Sequence, residues 1–265
     1  TYVCKGFETV ADYKLKCHVF STIGSHGSLT VEQALMNSCN PYMIHLALEM
    51  GNSRFAYYQS LFGFGKITGI DLPGETTGIV YGDRMTTIDA ACNSFGQTIN
   101  VNMMQMMAAY CSIINGGMLY QPHIVKRIES ANGEVVKEYK ANLVRQTITA
   151  STSKLLRRYL KNTVEEGTAK KAGVTGYSVA GKTGTAQKGD RKDNKWIISF
   201  IGHAPAENPK FAIYVVIDEP YGTTGTSGSS ADVLTLTHNI LEKLLPYMNV
   251  YKDASDEYED TSSSP

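Results

Sequence analysis

Residues 181–187, Gly-Lys-Thr-Gly-Thr-Ala-Gln, combine one lysine with hydroxyl and glycine residues in a setting suited to binding an anion. Lys182 brings a positive charge, and the hydroxyls of Thr183 and Thr185 are donors suited to a carboxylate. Gly184 carries no side chain that would keep a ligand away from the backbone of a strand. The segment therefore predicts a carboxylate-binding strand edge, although a surface turn between two strands would use the same residue types.

A second triplet, Ser38-Cys39-Asn40, offers a hydroxyl and an amide two residues apart. In an extended turn, residues i and i+2 point to the same side, so Ser38 and Asn40 are expected to converge on one site. A hydroxyl relays a proton, and an amide holds a peptide group without adding charge. The plainer interpretation is that Ser38 only caps the helix that follows.

The first forty residues contain three of the five cysteines together with histidine and aspartate. Zn²⁺ is bound by thiolates and imidazoles, and it orders segments that have little apolar periodicity. We predict a structural zinc site with Cys4, Cys17 and His26 as core ligands and with Asp12 or Cys39 as the fourth. The spacing matches no standard zinc finger, and reduced or locally disulfide-paired cysteines are the alternative.

Helical periodicity and turn residues predict helices before and after a small antiparallel sheet. The predicted helices are 30–36, 41–50, 102–114, 151–166 and 231–245, and the predicted strands are 177–187, 195–203 and 210–218, with a hairpin at 118–140 that turns at Asn132-Gly133. The last strand is apolar on both faces, which predicts a buried central strand. The fold class is therefore α/β in α+β layers, an antiparallel sheet flanked by helices.

Capping residues predict where the two helices next to Ser38 begin. Thr30 and Gln33 fit a capping box. Asn40 fits an N-cap, and Pro41 fits the first helical position.

Composition excludes several classes of function. The 265-residue chain has a formal net charge of zero and a pI of about 6.9, so we expect no nucleic-acid partner. The sequence contains no apolar run long enough to span a bilayer. We predict one domain over residues 1–250 and a disordered, acidic and serine-rich tail over residues 251–265.

Together and in this order, the two triplets resemble the transpeptidase domain of class B penicillin-binding proteins, where a Ser-x-Asn triplet precedes a Lys-Thr-Gly strand. The resemblance covers residues 1–250, and further segments agree with it: 63–75, 94–97, 105–117 and Glu166-Gly167-Thr168-Ala169. Leu245-Pro246-Tyr247 and the cysteine- and histidine-rich opening are most similar to sporulation-type, SpoVD-like members. The resemblance implies the fold shared by penicillin-binding proteins and serine β-lactamases.

The resemblance also implies acyl transfer by a serine-type D,D-transpeptidase. In the family, the serine of a Ser-x-x-Lys motif attacks the carbonyl of a D-Ala-D-Ala peptide. Ser38 would relay a proton to the leaving amine, and Asn40 would hold the lysine of that motif and the acyl side-chain amide. Lys182, Thr183 and Thr185 would bind the carboxylate of the substrate or of a β-lactam, with the Thr185 backbone N–H in the oxyanion hole.

Peptidoglycan stem peptides and β-lactam antibiotics are the partners that this chemistry implies. The reaction requires no cofactor, so any Zn²⁺ would be structural. The implied location is the extracytoplasmic face of a bacterial membrane to which the protein is anchored.

The chain departs from the family pattern at the nucleophile. Residues 1–37 contain no Ser-x-x-Lys, and the match at Ser151-Thr152-Ser153-Lys154 falls at a predicted helix start, where Ser151 fits a cap and Lys154 a solvated side chain. We therefore expect the nucleophile on an N-terminal remainder of the same protein and expect this chain alone to be inactive. A β-lactam-hydrolysing enzyme, a D,D-carboxypeptidase and a non-catalytic penicillin-sensing or scaffold domain are the rival interpretations.

Overall fold

The computed structural model describes residues 1–189, 195–220 and 229–253. The helices in these residues are α1 (Val31–Met36), α2 (Asn40–Met50), α3 (Asn52–Leu61), α4 (Thr87–Asn93), α5 (Met103–Ile114), α6 (Ala150–Glu165) and α7 (Ala231–Tyr247). The strands are β1 (Tyr2–Cys4), β2 (Phe7–Val10), β3 (Tyr13–Lys16), β4 (Gly27–Leu29), β5 (Met118–Gln121), β6 (Arg127–Glu129), β7 (Val135–Glu138), β8 (Asn142–Gln146), β9 (Ala180–Lys188), β10 (Lys195–Ala204) and β11 (Phe211–Asp218). All five predicted helices are present, with ends that differ by at most two residues. The predicted tail lies, from residue 254 onward, outside the described residues.

Two compact units divide the chain, and each is described by itself. Unit 1 contains Thr1–Gly6, Cys17–Tyr42 and the described residues from Leu155 onward. Unit 2 contains Phe7–Lys16 and Met43–Lys154. Among the helices of the described ranges, none combines the length and the apolar character needed to cross a membrane.

The sheet of unit 1 is an antiparallel meander of three strands in the order β11-β10-β9. This arrangement confirms the three predicted strands and their antiparallel connection. Among the described residues, β10 lies in the middle of this sheet and β11 pairs with β10 alone, which contradicts the prediction that residues 211–217 form the central strand. A strand sequence that is apolar on both faces indicates that both faces of the sheet are covered. It does not indicate whether the strand lies in the middle of the sheet or at its edge.

The core of unit 1 lies between this sheet and helix α7. Ile198 and Phe200 of β10 are fully buried, as are Leu241 and Leu245 of α7, and all four belong to one apolar cluster. Burying each such side chain contributes about 1.5–3 kcal/mol relative to leaving it exposed. This packing holds β10 rigidly, and β10 in turn holds β9 with its lysine.

A pair of glycines on β9 and β10 makes room for the ring of Phe200. Gly181 and Gly202 are cross-strand partners. A Cβ atom at Gly181 would lie 2.3 Å from Cζ of Phe200 and 2.6 Å from the carbonyl oxygen of Ile201. A Cβ atom at Gly202 would lie 2.5 Å from Cε1 of Phe200. The glycine that precedes Lys182 is therefore required by packing inside the sheet.

We expect Gly181→Ala to destabilise the fold by about 1–3 kcal/mol, because the buried Phe200 ring has no free space into which to move. Urea unfolding monitored by circular dichroism measures the change. Gly181→Ala and Phe200→Leu together should destabilise the fold by less than the sum of the two single changes, because the shorter side chain relieves the collision with the Phe200 ring. An unchanged midpoint for Gly181→Ala would contradict this account of the packing.

Small apolar clusters pack the middle of the chain in unit 2. One cluster includes Ile44 of α2 and Ala91 of α4, and another includes Ala56 of α3 and Ala90 of α4. The inner part of the predicted hairpin is present, since β6 pairs with β7 and the turn between them contains Gly133 with a φ of 81°. The outer pair is β5 with β8.

Sequence periodicity does not predict α3 and α4. Helix α3 buries only Ala56 and Gln59, so its apolar stripe is too weak to be recognised. Helix α4 begins with a capping box of Thr86 and Asp89, which is a local signal that could have predicted it.

The start of α6 corrects the expected role of Ser151. The helix begins at Ala150, and the Thr149 hydroxyl accepts a hydrogen bond from the backbone N–H of Thr152 at 3.2 Å. Ser151 therefore lies inside the first turn and is not the cap. Lys154 is exposed, as expected.

Candidate active site

Ser38 lies on a short connection between two helices. The capping box of Thr30 and Gln33 begins α1, as predicted, and α2 begins at Asn40, one residue before the predicted first helical residue. Ser38 has a φ of 51°, a left-handed conformation that costs a non-glycine residue about 1–2 kcal/mol. The packing around it therefore holds Ser38 in a backbone conformation that it would not adopt by itself.

Strand β9 brings Lys182 to this serine. The Lys182 ammonium donates hydrogen bonds to Ser38 Oγ, to the carbonyl oxygen of Thr183 at 3.1 Å and to Thr183 Oγ1 at 3.4 Å. Lys182 and Ser38 are 144 residues apart in the sequence. The structure thus brings the two triplets into direct contact.

Burial changes the acidity of this lysine. It lowers the pKa of Lys182 from its ordinary value of 10.5 to about 8, because an ammonium withdrawn from water loses hydration. At neutral pH the group remains mostly protonated. A partly desolvated cation beside hydroxyl donors is an arrangement that binds a carboxylate more strongly than an exposed lysine does.

The remaining predicted residues lie on the same two segments. Asn40 is the first residue of α2, and Thr185 is exposed on β9, opposite Ile198 of β10. A Cβ atom at Gly184 would lie 2.5 Å from Ser199 Oγ. A larger residue at this position would therefore force the Ser199 side chain to move.

Thr168 is a polar residue of this site to which the sequence analysis assigned no role. Its Oγ1 lies 3.3 Å from Ser38 Oγ and 3.4 Å from Thr183 Oγ1. The segment Glu166-Gly167-Thr168-Ala169 contributed to the family resemblance, but no local pattern indicated that its hydroxyl faces two site residues. Only the tertiary structure brings these three hydroxyls together.

The predicted metal ligands form a cluster immediately beside Ser38. One ligand atom from each of Cys4, Cys17, His26 and Cys39 lies within 4.8 Å of all the others. His26 Nδ1 is 4.0 Å from Cys4 Sγ and 3.5 Å from Cys17 Sγ. Tetrahedral Zn²⁺ bound by sulfur at about 2.3 Å and nitrogen at about 2.0–2.1 Å would separate those atoms by about 3.6 Å. The four side chains therefore fit a Cys₃His zinc site closely.

The fourth member of the group is Cys39, and Asp12 is not part of it. Asp12 lies in the exposed turn between β2 and β3. Cys39, which is buried between Ser38 and Asn40, is therefore the better candidate for the fourth ligand. All five cysteines of the chain are free thiols in the structure, which does not support the alternative of local disulfide pairing.

Hydrogen bonds favour the charged form of one thiol of the cluster, that of Cys17. A hydrogen bond from Cys39, with backbone N–H groups of Val19 and Asn40, lowers the pKa of Cys17, and the same thiol pair raises the pKa of Cys39. The backbone N–H of Gly6 donates to Cys4 Sγ at 3.4 Å. Backbone donors directed at sulfur stabilise thiolates, which are the form of cysteine that binds metal.

The sequence matches the family model described as the penicillin binding protein transpeptidase domain over residues 7–242. This chain belongs to the class B penicillin-binding protein transpeptidase family. The family and the fold class predicted from the sequence are thereby confirmed.

Curated relatives of this transpeptidase domain are longer proteins. Stage V sporulation protein D of Bacillus subtilis (strain 168) is 39% identical over 93% of this chain and 38% of that protein. Peptidoglycan D,D-transpeptidase FtsI of Escherichia coli (strain K12) is 32% identical over 91% of this chain and 40% of that protein. The chain thus spans about two-fifths of the length of these relatives.

Solved structures share the fold over nearly all of the chain. Penicillin-binding protein 3 of Mycobacterium tuberculosis, in its complex with ampicillin, superposes with a TM-score of 0.84 at 28% identity, covering 97% of this chain and 58% of that one. The complex of that protein with aztreonam gives a TM-score of 0.83, covering 95% of this chain and 58% of that one.

Proposed function

We propose that this transpeptidase domain supplies the carboxylate-binding and proton-transfer groups of a peptidoglycan D,D-transpeptidase. The observation that carries the proposal is the hydrogen bond from the Lys182 ammonium to Ser38 Oγ. This contact places a cation suited to a carboxylate next to a hydroxyl suited to proton transfer. The names of the relatives, among them a peptidoglycan D,D-transpeptidase and a sporulation protein, support the same reaction and favour a role in sporulation.

In the acylation step, a serine oxygen forms a bond to the carbonyl carbon of the penultimate D-Ala, and the bond from that carbon to the terminal D-Ala nitrogen breaks. The proton lost by the attacking serine has to reach the leaving nitrogen. Ser38 would relay it, because its Oγ accepts a hydrogen bond from Lys182 while its own proton is available for transfer. Asn40 would hold the lysine of the nucleophile's motif and the substrate amide.

The carboxylate of the terminal D-Ala would bind Lys182 and the hydroxyls of Thr183 and Thr185, with Gly184 leaving the strand open to close approach. β-Lactams carry an anionic group in the corresponding position, a carboxylate in penicillins and a sulfonate in aztreonam, so the same residues would bind them. The solved complexes of a related protein with ampicillin and aztreonam support this proposal. The backbone N–H of Thr185 would contribute to the oxyanion hole.

The nucleophile in this proposal is the serine of a Ser-x-x-Lys motif on an N-terminal remainder of the protein. The sequence ahead of Ser38 contains no such motif, and the relatives are more than twice as long as the matched region. The reaction would take place on the extracytoplasmic face of a bacterial membrane, where peptidoglycan is assembled, with the protein anchored to that membrane.

We further propose that Cys4, Cys17, His26 and Cys39 bind one structural Zn²⁺ ion. Four protein ligands would leave no open position for a substrate, which is typical of a structural site. Because Cys39 lies between Ser38 and Asn40, the metal would fix the connection that carries both of them. The zinc would therefore support the reaction without taking part in it.

The decisive experiment uses the intact protein, including the segment proposed to carry the nucleophile. A fluorescent penicillin should form a stable covalent adduct, and mass spectrometry should locate it on a serine outside the 265 residues. With a D-Ala-D-Ala stem peptide and an acceptor amine, the enzyme should form the cross-linked product. Rapid hydrolysis of the adduct would instead indicate a β-lactamase or carboxypeptidase, and a stable adduct without any peptide product would indicate a sensor. An adduct on a serine within the chain would show that the nucleophile is assigned to the wrong part of the protein.

A further inference from the structure

The loop that follows α6 is attached to the end of α1 by close backbone contact. The backbone N–H of Thr168 donates to the carbonyl oxygen of Met36 at 3.1 Å. A Cβ atom at Gly167 would lie 2.8 Å from the same oxygen and 2.9 Å from Cα of Thr163. Only glycine permits this approach. The backbone of Thr168 is therefore held in a fixed position beside the connection that carries Ser38.

The hydroxyl of Thr168 lies within hydrogen-bonding distance of a residue from each of the two motifs, Ser38 and Thr183. Ser38 Oγ and Thr183 Oγ1 both accept hydrogen bonds from the Lys182 ammonium. Each of these hydroxyls has one proton left to donate. Thr168 Oγ1 lies within 3.4 Å of both oxygens and has two lone pairs, so it is an acceptor for either proton.

The two contacts are not equivalent. Thr168 is tied to the Ser38 connection twice, through its backbone N–H to Met36 and through its hydroxyl to Ser38. Thr183 belongs to a strand that is already fixed by its ladder with β10. Ser38 has no such ladder and adopts a left-handed backbone conformation, so the direction of its hydroxyl depends on side-chain partners. The Thr168 hydroxyl is a second side-chain partner of Ser38 Oγ beside the Lys182 ammonium.

We propose that Thr168 is a positioning residue for the reaction: its hydroxyl accepts the Ser38 proton in the resting site and thereby orients Ser38 Oγ for proton relay. This inference rests on the proposed function, in which Ser38 relays the proton to the leaving nitrogen. It assigns to Thr168 an effect on the bond-breaking step. Binding of the carboxylate depends on Lys182, Thr183 and Thr185 and is left unchanged.

The test compares Thr168→Val, which removes the hydroxyl but keeps the branched shape, with Thr168→Ser, which keeps the hydroxyl. Stopped-flow kinetics of the intact protein with a fluorescent penicillin separate the noncovalent dissociation constant from the acylation rate constant. We expect Thr168→Val to lower the acylation rate constant about tenfold or more, because a misdirected proton donor loses much of the gain from general acid catalysis. The dissociation constant and Tm should stay close to wild type, and Thr168→Ser should restore the rate. Thr235→Val, which removes an exposed hydroxyl on α7, is the matched control and should behave like wild type.

Three outcomes would overturn the proposal. The first is an acylation rate constant for Thr168→Val close to that of the wild type. The second is an increased dissociation constant with an unchanged acylation rate constant. The third is an equal decrease of the acylation rate constant in the valine and serine variants together with a lower Tm. Failure of the wild-type protein to be acylated would instead contradict the proposed function. Crystal structures of wild type and Thr168→Val then decide the inference independently of acylation. The proposal requires the Ser38 side chain to change its χ1 rotamer in the variant, and an unchanged Ser38 Oγ position would refute it.

Discussion

Lys182→Met should lower the rate of acylation by a penicillin by about a hundredfold or more. Methionine preserves the length and apolar stem of the side chain but removes the charge and its three donors. The variant therefore loses the cation for the ligand carboxylate and the hydrogen bond to Ser38 Oγ in a single change. Loss of one preorganised donor at such a site typically costs about 10²–10³ in rate. Time-resolved labelling of the intact protein with a fluorescent penicillin measures the effect.

The same variant should keep or exceed the stability of the wild type, which separates a functional loss from misfolding. The folded-state pKa of Lys182, about 8, is lower than its ordinary value of 10.5, so folding disfavours the charged form. The resulting destabilisation is fully present below pH 8 and disappears as the pH rises through 8 toward 10.5. At pH 7, methionine removes this destabilisation. A large drop in Tm would contradict this account of the lysine.

The pH dependence of the acylation rate is a second test of the role of Lys182. The wild-type acylation rate should fall above pH 8, where the Lys182 ammonium loses its proton, and this decline should be absent from Lys182→Met. Lys188→Met is the matched control, because Lys188 lies on the same strand but forms surface ion pairs with Asp218 and Glu219. It should be acylated at the wild-type rate. Equal rates for Lys182→Met and the wild type would rule out the carboxylate-binding role.

The parts of the site that the sequence predicts are those encoded in short, contiguous patterns. The Lys182-Thr183-Gly184 triplet falls on a strand between recognisable neighbours, and Ser38 falls between two helices with clear capping residues. Each prediction needs only local information. That the two triplets belong together came from the family resemblance, and the hydrogen bond between Lys182 and Ser38 gives that pairing a geometry.

The features that the sequence did not predict depend on tertiary contacts. Thr168 acquires its neighbours because Gly167 lets the loop approach α1 closely, and nothing in a Gly-Thr pair specifies that. The grouping of Cys39 with Cys4, Cys17 and His26 depends on tertiary packing, which the spacing of these residues in the sequence does not reveal. Which strand lies in the middle of the described part of the sheet depends on strand pairing, which periodicity does not encode. Residue type and hydrophobic pattern can be read from a short stretch of sequence, whereas the residues that will be close in space cannot.

Removing one thiol from the cysteine cluster should abolish zinc binding and lower Tm by about 10 °C or more. The purified wild-type protein should contain about one zinc per chain after dialysis, and Cys17→Ser should contain none. Cys17 is chosen because its hydrogen bond with Cys39 lowers its pKa, so that it loses its proton more readily than an ordinary cysteine. Loss of a structural metal removes its binding free energy from folding, and each kcal/mol shifts Tm by about 2–4 °C in a protein of about this size. Elemental analysis and differential scanning calorimetry measure the two effects.

Cys92→Ser and Cys111→Ser are the controls, since both thiols are only partly buried and lie in unit 2, outside the cluster. Both variants should retain zinc and remain close to wild type in acylation. Because Cys39 joins Ser38 to Asn40, the metal-free Cys17→Ser protein should also be acylated more slowly, although Cys17 itself lies 21 positions before Ser38 in the sequence. A wild-type protein that contains no zinc, or a disulfide between Cys4 and Cys17, would exclude the metal site. Zinc loss without any change in acylation would leave the site structural but would exclude its proposed support of the Ser38 connection.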